Sequence, residues 1–490
     1  MKLKSLFEDL KNKKSNVLVI GLGITGIEAA LFLRRHNIGC VCVESATKEE
    51  YEKNSKYVER CDSLRKANVD LHFGIDALKF KKLLKNIGLC VLSPGVPLSH
   101  PLVLELQKSK IPISGEFELG IELSELPCIA VTGSNGKSTV VSLIDAILKE
   151  SGRSSLLCGN IGEPVVSQIS EILISKPNRS ESDKFLVAEA SSYQLESCES
   201  LKPKVGVFLN LSNNHLERHG SMEAYFEAKK NLFIRQDASD FAIVNIDDTY
   251  GERLLGALRA KTIIFGFRRN DSKYDSASIE YNAVKRIDRI RLSLGGKEET
   301  YECSKSNLSG RHTRYNIAAA IAATRCLGVA KESIQFAIDN FCPLEHRIEK
   351  VSEKNGVVYI NDSKSTTVAS SCVAVETVLE YFPPRYIVLL IGGQAKKASW
   401  EPLLNLLKEN EKRLRAVICF GKDGGMLKRE LKRVKIEAVE CPKLVDAVRI
   451  ASDVARHNDV VLLSPGCASF DEFKGFEERG NAFKSLVEKL

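Results

Sequence analysis

Apolar and polar positions along the chain repeat one arrangement: a short continuous apolar run, a turn rich in glycine or polar residues, then apolar positions at helical spacing. NVLVI before GLGITG, CVCVE, GLCVL before SPGV, CIAVT before GSNGKST, FLVAEA, VGVFLNLS, DFAIVN, TIIFGF, VVYIN before DSKST, YIVLLIGG, AVICFG and DVVLLSPG are such runs. Apolar runs that end in glycine or polar residues and are separated by helical stretches predict parallel sheets covered by helices. The helix after GSNGKST shows the spacing well, with Val140, Val141, Ile144, Ile147 and Leu148. SIEYNAVKRIDRIRLSLGGKEETYEC instead alternates around a Gly-Gly turn and predicts a hairpin-rich edge. The fold class is therefore α/β with three domains: an N-terminal Rossmann-like domain over 1–115, a central P-loop domain over 116–343, and a C-terminal Rossmann-like α/β domain over 344–490. Short connections near Gly115 and Pro343 are the expected hinges.

Length agrees with this division, since 490 residues exceed one ordinary core and the usual domain size gives about three domains. Hydrophobic residues at 43% and charged residues at 27% are ordinary for a globular chain and exclude disordered, collagen-like and membrane classes. No segment approaches the roughly 20 apolar residues of a spanning helix. No cleavage pattern follows the basic N-terminus, so a cytoplasmic location is expected. The 14 cysteines are scattered, several inside apolar runs (Cys40, Cys42, Cys90, Cys419), and no CxxC pair occurs. They read as buried reduced thiols rather than a disulfide frame or a zinc site. A net charge of +8 favours anionic small substrates, and no basic stripe with aromatics points to nucleic acid.

The candidate chemistry centres on Cys128 to Leu148, a strand, glycine turn and helix. Gly133, Ser134, Asn135 and Gly136 turn the chain so that backbone N–H groups converge on phosphate, with the helix dipole behind them. Lys137 adds a full charge for the β/γ-phosphates, and Ser138 and Thr139 place hydroxyls within reach of magnesium. Val131 stands where a full Walker A loop has its first glycine, so the loop is the shortened GxxGKS. Upstream, Gly21, Gly23 and Gly26 form GxGxxG, and Glu44 follows where a dinucleotide site keeps its ribose-binding acid. Ser93, Pro94 and Gly95 close a further strand. Glu189 and His215 sit at the ends of two apolar runs in the central domain, on the expected edge of the phosphate loop. A capping acid and a turn histidine are the bland alternatives. On the helix SMEAYFEAKKNLF, Tyr225 and Lys229 share a face while Lys230 points away; by sequence context alone Lys229 is a solvated lysine.

The ordered set GLGITG, SPGV, TGSNGKST, GNIG, EASSYQLE, NHLERHG, YFEAKKNLF, SGRHTRYN, HRIE, NDSKST and SPGCASFDEFKGFEERG resembles the Mur ligases of peptidoglycan synthesis, most closely their D-glutamate-adding branch. The resemblance covers nearly the whole chain. It implies an ATP-dependent ligase that activates UDP-N-acetylmuramoyl-L-alanine as an acyl phosphate, joins it to D-glutamate, and releases ADP and phosphate. By motif, Lys137 holds the ATP phosphates, Ser138 and Glu189 one magnesium ion, and His215 a second. Lys229 matches the lysine that is carbamylated in the family, which places an anion beside the metal. Asn316 and Arg347 contact ATP, and Asn160 and His215 face the substrate. The GxGxxG turn serves UDP rather than a dinucleotide, through Ile24, Thr25, Ser45, Ser93 and Gly95. Lys364, Thr366, Lys396, Ser469 and Phe476 hold D-glutamate, whose carboxylates suit cations and hydroxyl donors. A monomer is expected.

The chain departs from that pattern at three places. Glu44, Ser45 and Ala46 stand where relatives often read Asp-Thr-Arg; Asn214 replaces an Asp, and Thr313 replaces an ATP-contacting Asn. The rival classes are a dinucleotide-dependent oxidoreductase, resting on Gly21, Gly23, Gly26 and Glu44, and a non-catalytic nucleotide-binding module. Folylpolyglutamate synthetase and the other muramyl ligases are nearer competitors, against which NDSKST and SPGCASFDEF favour D-glutamate.

Overall fold

The computed structural model describes residues 3–490 except 14, 53–54, 162, 176–183, 213–215, 269–272, 283–284, 286, 309–310, 343–344, 383–384 and 396–397. His215, Lys396, Asn214 and the expected division at Pro343 lie outside the described residues. The chain forms two compact units, Met1–Ser304 with Tyr315–Ile338, and Lys305–Arg314 with Asp339–Leu490.

The first unit holds two sheets. Asn16–Ile20 (β1), Cys40–Glu44 (β2), Asp70–Phe73 (β3), Ile87–Leu92 (β4) and Ile113–Gly115 (β5) pair in parallel in the order β3-β2-β1-β4-β5. The order reverses between β1 and β4, which opens a crevice at their carboxyl ends. GxGxxG supplies the close packing that this crevice needs: a Cβ on Gly26 would collide with the Gly21 carbonyl oxygen. The fingerprint therefore folds as the sequence predicts.

The second sheet comprises Cys128–Thr132 (β6), Ser154–Gly159 (β7), Lys184–Glu189 (β8), Val205–Phe208 (β9), Phe241–Asn245 (β10), Lys261–Gly266 (β11), Asp275–Asn282 (β12), Ile287–Leu294 (β13) and Lys297–Glu302 (β14). Its order is β14-β13-β12-β11-β10-β9-β6-β8-β7, parallel through β12, with β13 and β14 antiparallel at the edge. The alternating segment thus forms the expected hairpin, its turn at Gly295 and Gly296 with φ +57° and +76°. β6 lies between β8 and β9, so the phosphate loop, Glu189 and the segment after Phe208 leave the sheet side by side.

One hydrophobic cluster joins the two sheets through residues such as Phe32, Leu119, Val165 and Ile169. Ser167 Oγ donates to Glu28 at 3.1 Å across the same contact. Gly115 closes β5 and opens the helix Glu116–Ser124 within this unit.

The second unit carries Glu349–Lys354 (β15), Val357–Asn361 (β16), Tyr386–Gly392 (β17), Leu414–Phe420 (β18), Val439–Cys441 (β19) and Asp459–Gly466 (β20), in the order β15-β16-β20-β17-β18-β19. Only the β15 edge is antiparallel among the described strands of this sheet. Apolar clusters cover both faces, one around Leu389, Trp400 and Leu462, the other around Leu390, Leu463 and Phe483. β16 and β20 are neighbours, so NDSKST and SPGCASFDEF emerge together.

Candidate functional site

β6 delivers Gly133 to Gly136, and the helix Lys137–Glu150 follows at once. Gly136 has φ +85°, and a Cβ there would strike Asn316 Oδ1, so glycine admits both the turn and the close approach of Asn316. Lys137 Nζ donates to the Gly133 and Ser134 carbonyl oxygens at 2.8 and 3.0 Å. Two of the loop N–H groups have an acceptor within the protein. Ser134 and Asn135 donate their N–H groups to Asn210 Oδ1 at 3.1 and 2.9 Å. Beside Lys137, the start of its helix offers a dipole and first-turn N–H groups that favour negative charge.

β8 brings Glu189 to this helix. Its carboxylate is buried and accepts from Ser138 Oγ at 2.6 Å and from Asn160 Nδ2 at 2.7 Å. Two hard oxygen donors, one of them anionic, thus face each other beside the phosphate loop. That donor set suits magnesium, which takes one or two carboxylates and completes its shell from phosphate and water.

Lys229 is not solvated. It is 1% exposed, donates to Gly133 O at 2.9 Å and Thr132 Oγ1 at 3.2 Å, and lies 4.8 Å above the Tyr225 ring. Burial, and next the charge of Lys137, hold its pKa well below the ordinary lysine value, while Glu189 opposes the shift. The i,i+4 face predicted for Tyr225 and Lys229 is the buried one. Lys230 instead pairs with Glu227 at the surface.

From Tyr225 a polar chain runs to the first sheet. Its ring stacks on His219 at 5.0 Å; His219 Nδ1 lies 3.0 Å from Glu196, and Glu196 binds Arg218 at 2.7 Å. Arg218 then donates to the carbonyl oxygens of Gly95 at 3.1 Å and Val96 at 2.9 Å.

Those carbonyls belong to the wall of a cavity of about 440 Å³ at the β1/β4 reversal, lined by Thr25, Ser45, Ser93 and Gly95 among others. Ile24 opens the adjacent helix and is largely exposed. Ser93 Oγ donates to Gly21 O at 2.8 Å, so its hydroxyl fixes the turn. Glu44 does likewise, accepting from Leu22 N at 2.8 Å and Ser45 N at 2.7 Å. These bonds fix the backbone around the glycine turn, while Glu44 also lines the cavity.

In the second unit, Lys364 Nζ lies 3.8 Å from the centroid of Phe476, and Ser363 Oγ donates to Phe476 O at 2.8 Å. Fully buried Arg479 ties the two loops, donating to Ser363 Oγ at 3.0 Å, Ser363 O at 2.8 Å and Cys467 O at 3.1 Å. Ser469 is buried in the second of them, and Thr366 N donates to Lys364 O at 2.8 Å in the first. Asp362 accepts from Ser464 Oγ at 2.9 Å and Ile348 N at 3.2 Å; burial pushes its pKa up to about 6, with Arg347 among the opposing influences. Sequence reasoning missed Asn210, Glu196, Arg218, Asp362 and Arg479. Each acts through partners distant in sequence; Glu196, Arg218, Asp362 and Arg479 fell inside quoted motifs and Asn210 inside a quoted apolar run, none with an assigned role.

Residues 15–115 match the MurD-like N-terminal domain of Mur ligases, residues 131–324 the Mur ligase middle domain, and residues 346–467 the Mur ligase glutamate ligase domain. The chain is 35% identical over 487 residues to the UDP-N-acetylmuramoylalanine–D-glutamate ligase of Pelotomaculum thermopropionicum, covering 99% of each chain. It is 36% identical over 480 residues to the enzyme of that name from Acidobacterium capsulatum, covering 98% of this chain and 97% of the relative. Among solved structures, the UDP-N-acetylmuramate–alanine ligase of Thermotoga maritima shares the fold, with a TM-score of 0.55 at 16% identity over 97% of this chain and 99% of that one.

Proposed function

The chain belongs to the Mur ligase family, and we propose that it joins D-glutamate to UDP-N-acetylmuramoyl-L-alanine with cleavage of ATP to ADP and phosphate. Relatives of that name align with it over nearly their full length. The observation that carries the chemistry is the meeting of Lys137, Lys229, Ser138 and Glu189 at one phosphate loop.

In the reaction an alanyl carboxylate oxygen attacks the γ-phosphorus and ADP leaves. The D-glutamate nitrogen then attacks the acyl carbon, phosphate departs, and the nitrogen gives up its proton. The protein positions the reactants and stabilises charge. Lys137 and the helix start neutralise the phosphates. Ser138 and Glu189 hold magnesium, whose charge offsets that of the triphosphate when bound. Gly133 to Gly136 and Thr139 shape the rest of this site, with Asn316 and Arg347 on the nucleotide. His215 completes the metal site, and Asn160 with His215 faces the acid substrate.

Lys229 is carbamylated in this reading. Its depressed pKa supplies the neutral amine, whose lone pair bonds to carbon dioxide as a proton leaves, and the product is an anion suited to a metal-bound water. Thr25, Ser45 and Gly95 line the pocket for the UDP portion, with Ile24 at its rim and Ser93 fixing its floor. Lys364, Thr366, Lys396, Ser469 and Phe476 receive D-glutamate. The functional division follows 1–115, 116–343 and 344–490, in a monomeric cytoplasmic enzyme.

The test is phosphate release by the purified chain with ATP and magnesium. Release that requires both UDP-N-acetylmuramoyl-L-alanine and an amino acid supports the ligase. ATP binding without such turnover would leave a nucleotide-binding module.

A further inference from the structure

The cavity at the β1/β4 reversal includes a histidine that the motifs leave unassigned. His100 caps the helix Pro101–Lys108: its Nδ1 accepts from Leu102 N at 3.3 Å, and Pro101 occupies the first turn. An Nδ1 that accepts a backbone N–H places the proton of the neutral ring on Nε2. Nε2–H then donates to Ser45 Oγ at 3.3 Å, a long bond that leaves the serine proton to be donated elsewhere, and both residues line the cavity. A ligand oxygen beside this pair can accept the serine proton and share the ring N–H.

The cavity needs such donors. Ser93 and Glu44 are committed to the backbone of the glycine turn and its surroundings. No lysine or arginine is among the described residues lining it. Ser45 follows Glu44 in a stretch whose third residue is the small apolar Ala46, so no long basic side chain reaches in from the end of β2.

We propose that His100 is a binding residue of this pocket, donating Nε2–H, together with the Ser45 hydroxyl, to an oxygen of the uridine diphosphate portion of the substrate. The inference rests on reading this cavity as the UDP site. The helix cap fixes the imidazole tautomer and orientation before the ligand arrives, so little ordering accompanies binding.

The test is calorimetric binding of free UDP and of uridine to the full-length wild type, His100→Asn and Ser45→Ala. Asparagine keeps an N-cap acceptor for Leu102 N and removes the ring donor. ADP affinity and the unfolding midpoint serve as controls for an intact chain. Loss of one hydrogen bond to the ligand predicts about tenfold weaker UDP binding in His100→Asn with both controls unchanged. A weaker effect in the same direction is expected for Ser45→Ala. Equal losses for uridine and UDP place the oxygen on the nucleoside, and a loss confined to UDP places it on phosphate. Wild-type UDP affinity in His100→Asn overturns the role of His100, while the pocket reading stands. If His100→Asn fails to fold, unchanged UDP affinity in Ser45→Ala overturns the paired donor. Failure of the wild type to bind UDP overturns the pocket reading and this inference with it.

Discussion

Lys137 and Lys229 donate to the same acceptor: the Gly133 carbonyl oxygen receives Nζ of Lys137 at 2.8 Å and Nζ of Lys229 at 2.9 Å. Two ammonium groups on one oxygen repel, and burial falls on Lys229. The proton is therefore more easily lost from Lys229, which leaves a neutral amine beside a phosphate loop.

Lys229→Ala is expected to lower phosphate release about 100-fold, the scale of removing one positioned electrostatic group. Small carboxylates should restore part of it by standing in for the carbamate. Lys230→Ala, which removes a surface pair with Glu227, should change the rate by less than about twofold. Steady-state assays with and without added carboxylate check this. Full activity in Lys229→Ala alone would contradict it.

Lys137→Ala removes both a charge at the phosphate loop and the staple across Gly133 and Ser134. Turnover should fall about 1,000-fold, with ADP affinity reduced and the far-ultraviolet circular dichroism unchanged. Near-normal turnover in the folded variant would move the ATP site elsewhere.

Arg218→Gln should separate the two nucleotide sites. The guanidinium holds the Gly95 and Val96 carbonyls against Glu196, so its loss loosens the wall of the first cavity while the phosphate loop keeps its own contacts. The KM for the UDP-linked substrate should rise about tenfold and that for ATP by less than about twofold. Equal rises in both would show a general loosening of the unit.

The sequence made the glycine turns, the edge hairpin and the shared face of Tyr225 and Lys229 legible, because each is set by local spacing; the burial of that face was not, since sequence context alone makes Lys229 a solvated lysine and the structure leaves it 1% exposed. It did not reveal how the first two sheets share a core, since Phe32, Leu119 and Val165 meet only in the fold. The same limit applies to individual side chains. Glu44 sits where an acid serves a ribose, and the sequence did not show that its oxygens also accept the Leu22 and Ser45 N–H groups and so hold the turn. Asn210 intercepts two loop N–H groups from the end of a neighbouring strand. Arg479 reads as one more charged residue in FEERG, but three donor contacts across more than one loop bury it completely.

Asp362 gives the second unit a pH dependence of definite sign. Its folded pKa, raised to about 6 chiefly by burial, exceeds the roughly 3.9 of an unfolded aspartate. Between those values the folded state holds the proton and the unfolded state does not, so this group makes stability fall as pH rises from about 4 to about 6. Trp400, the only tryptophan of the chain, is buried in this unit and reports its unfolding by fluorescence. Denaturation across that range should show the slope, and Asp362→Asn should reduce it. An unchanged slope in the variant would assign the dependence to other groups.

The most direct measurement of the central claim is phosphate release with ATP, magnesium and UDP-N-acetylmuramoyl-L-alanine, comparing D-glutamate with L-glutamate as the amine. Lys364 and Ser469 lie on loops locked together by Arg479, Phe476 opens the helix that carries Arg479, and a fixed arrangement of donors distinguishes mirror-image arrangements of two carboxylates around one amine. The account predicts release with D-glutamate at least about 100-fold faster than with L-glutamate, a difference equivalent to about two positioned hydrogen bonds. Equal release with the two isomers would contradict it.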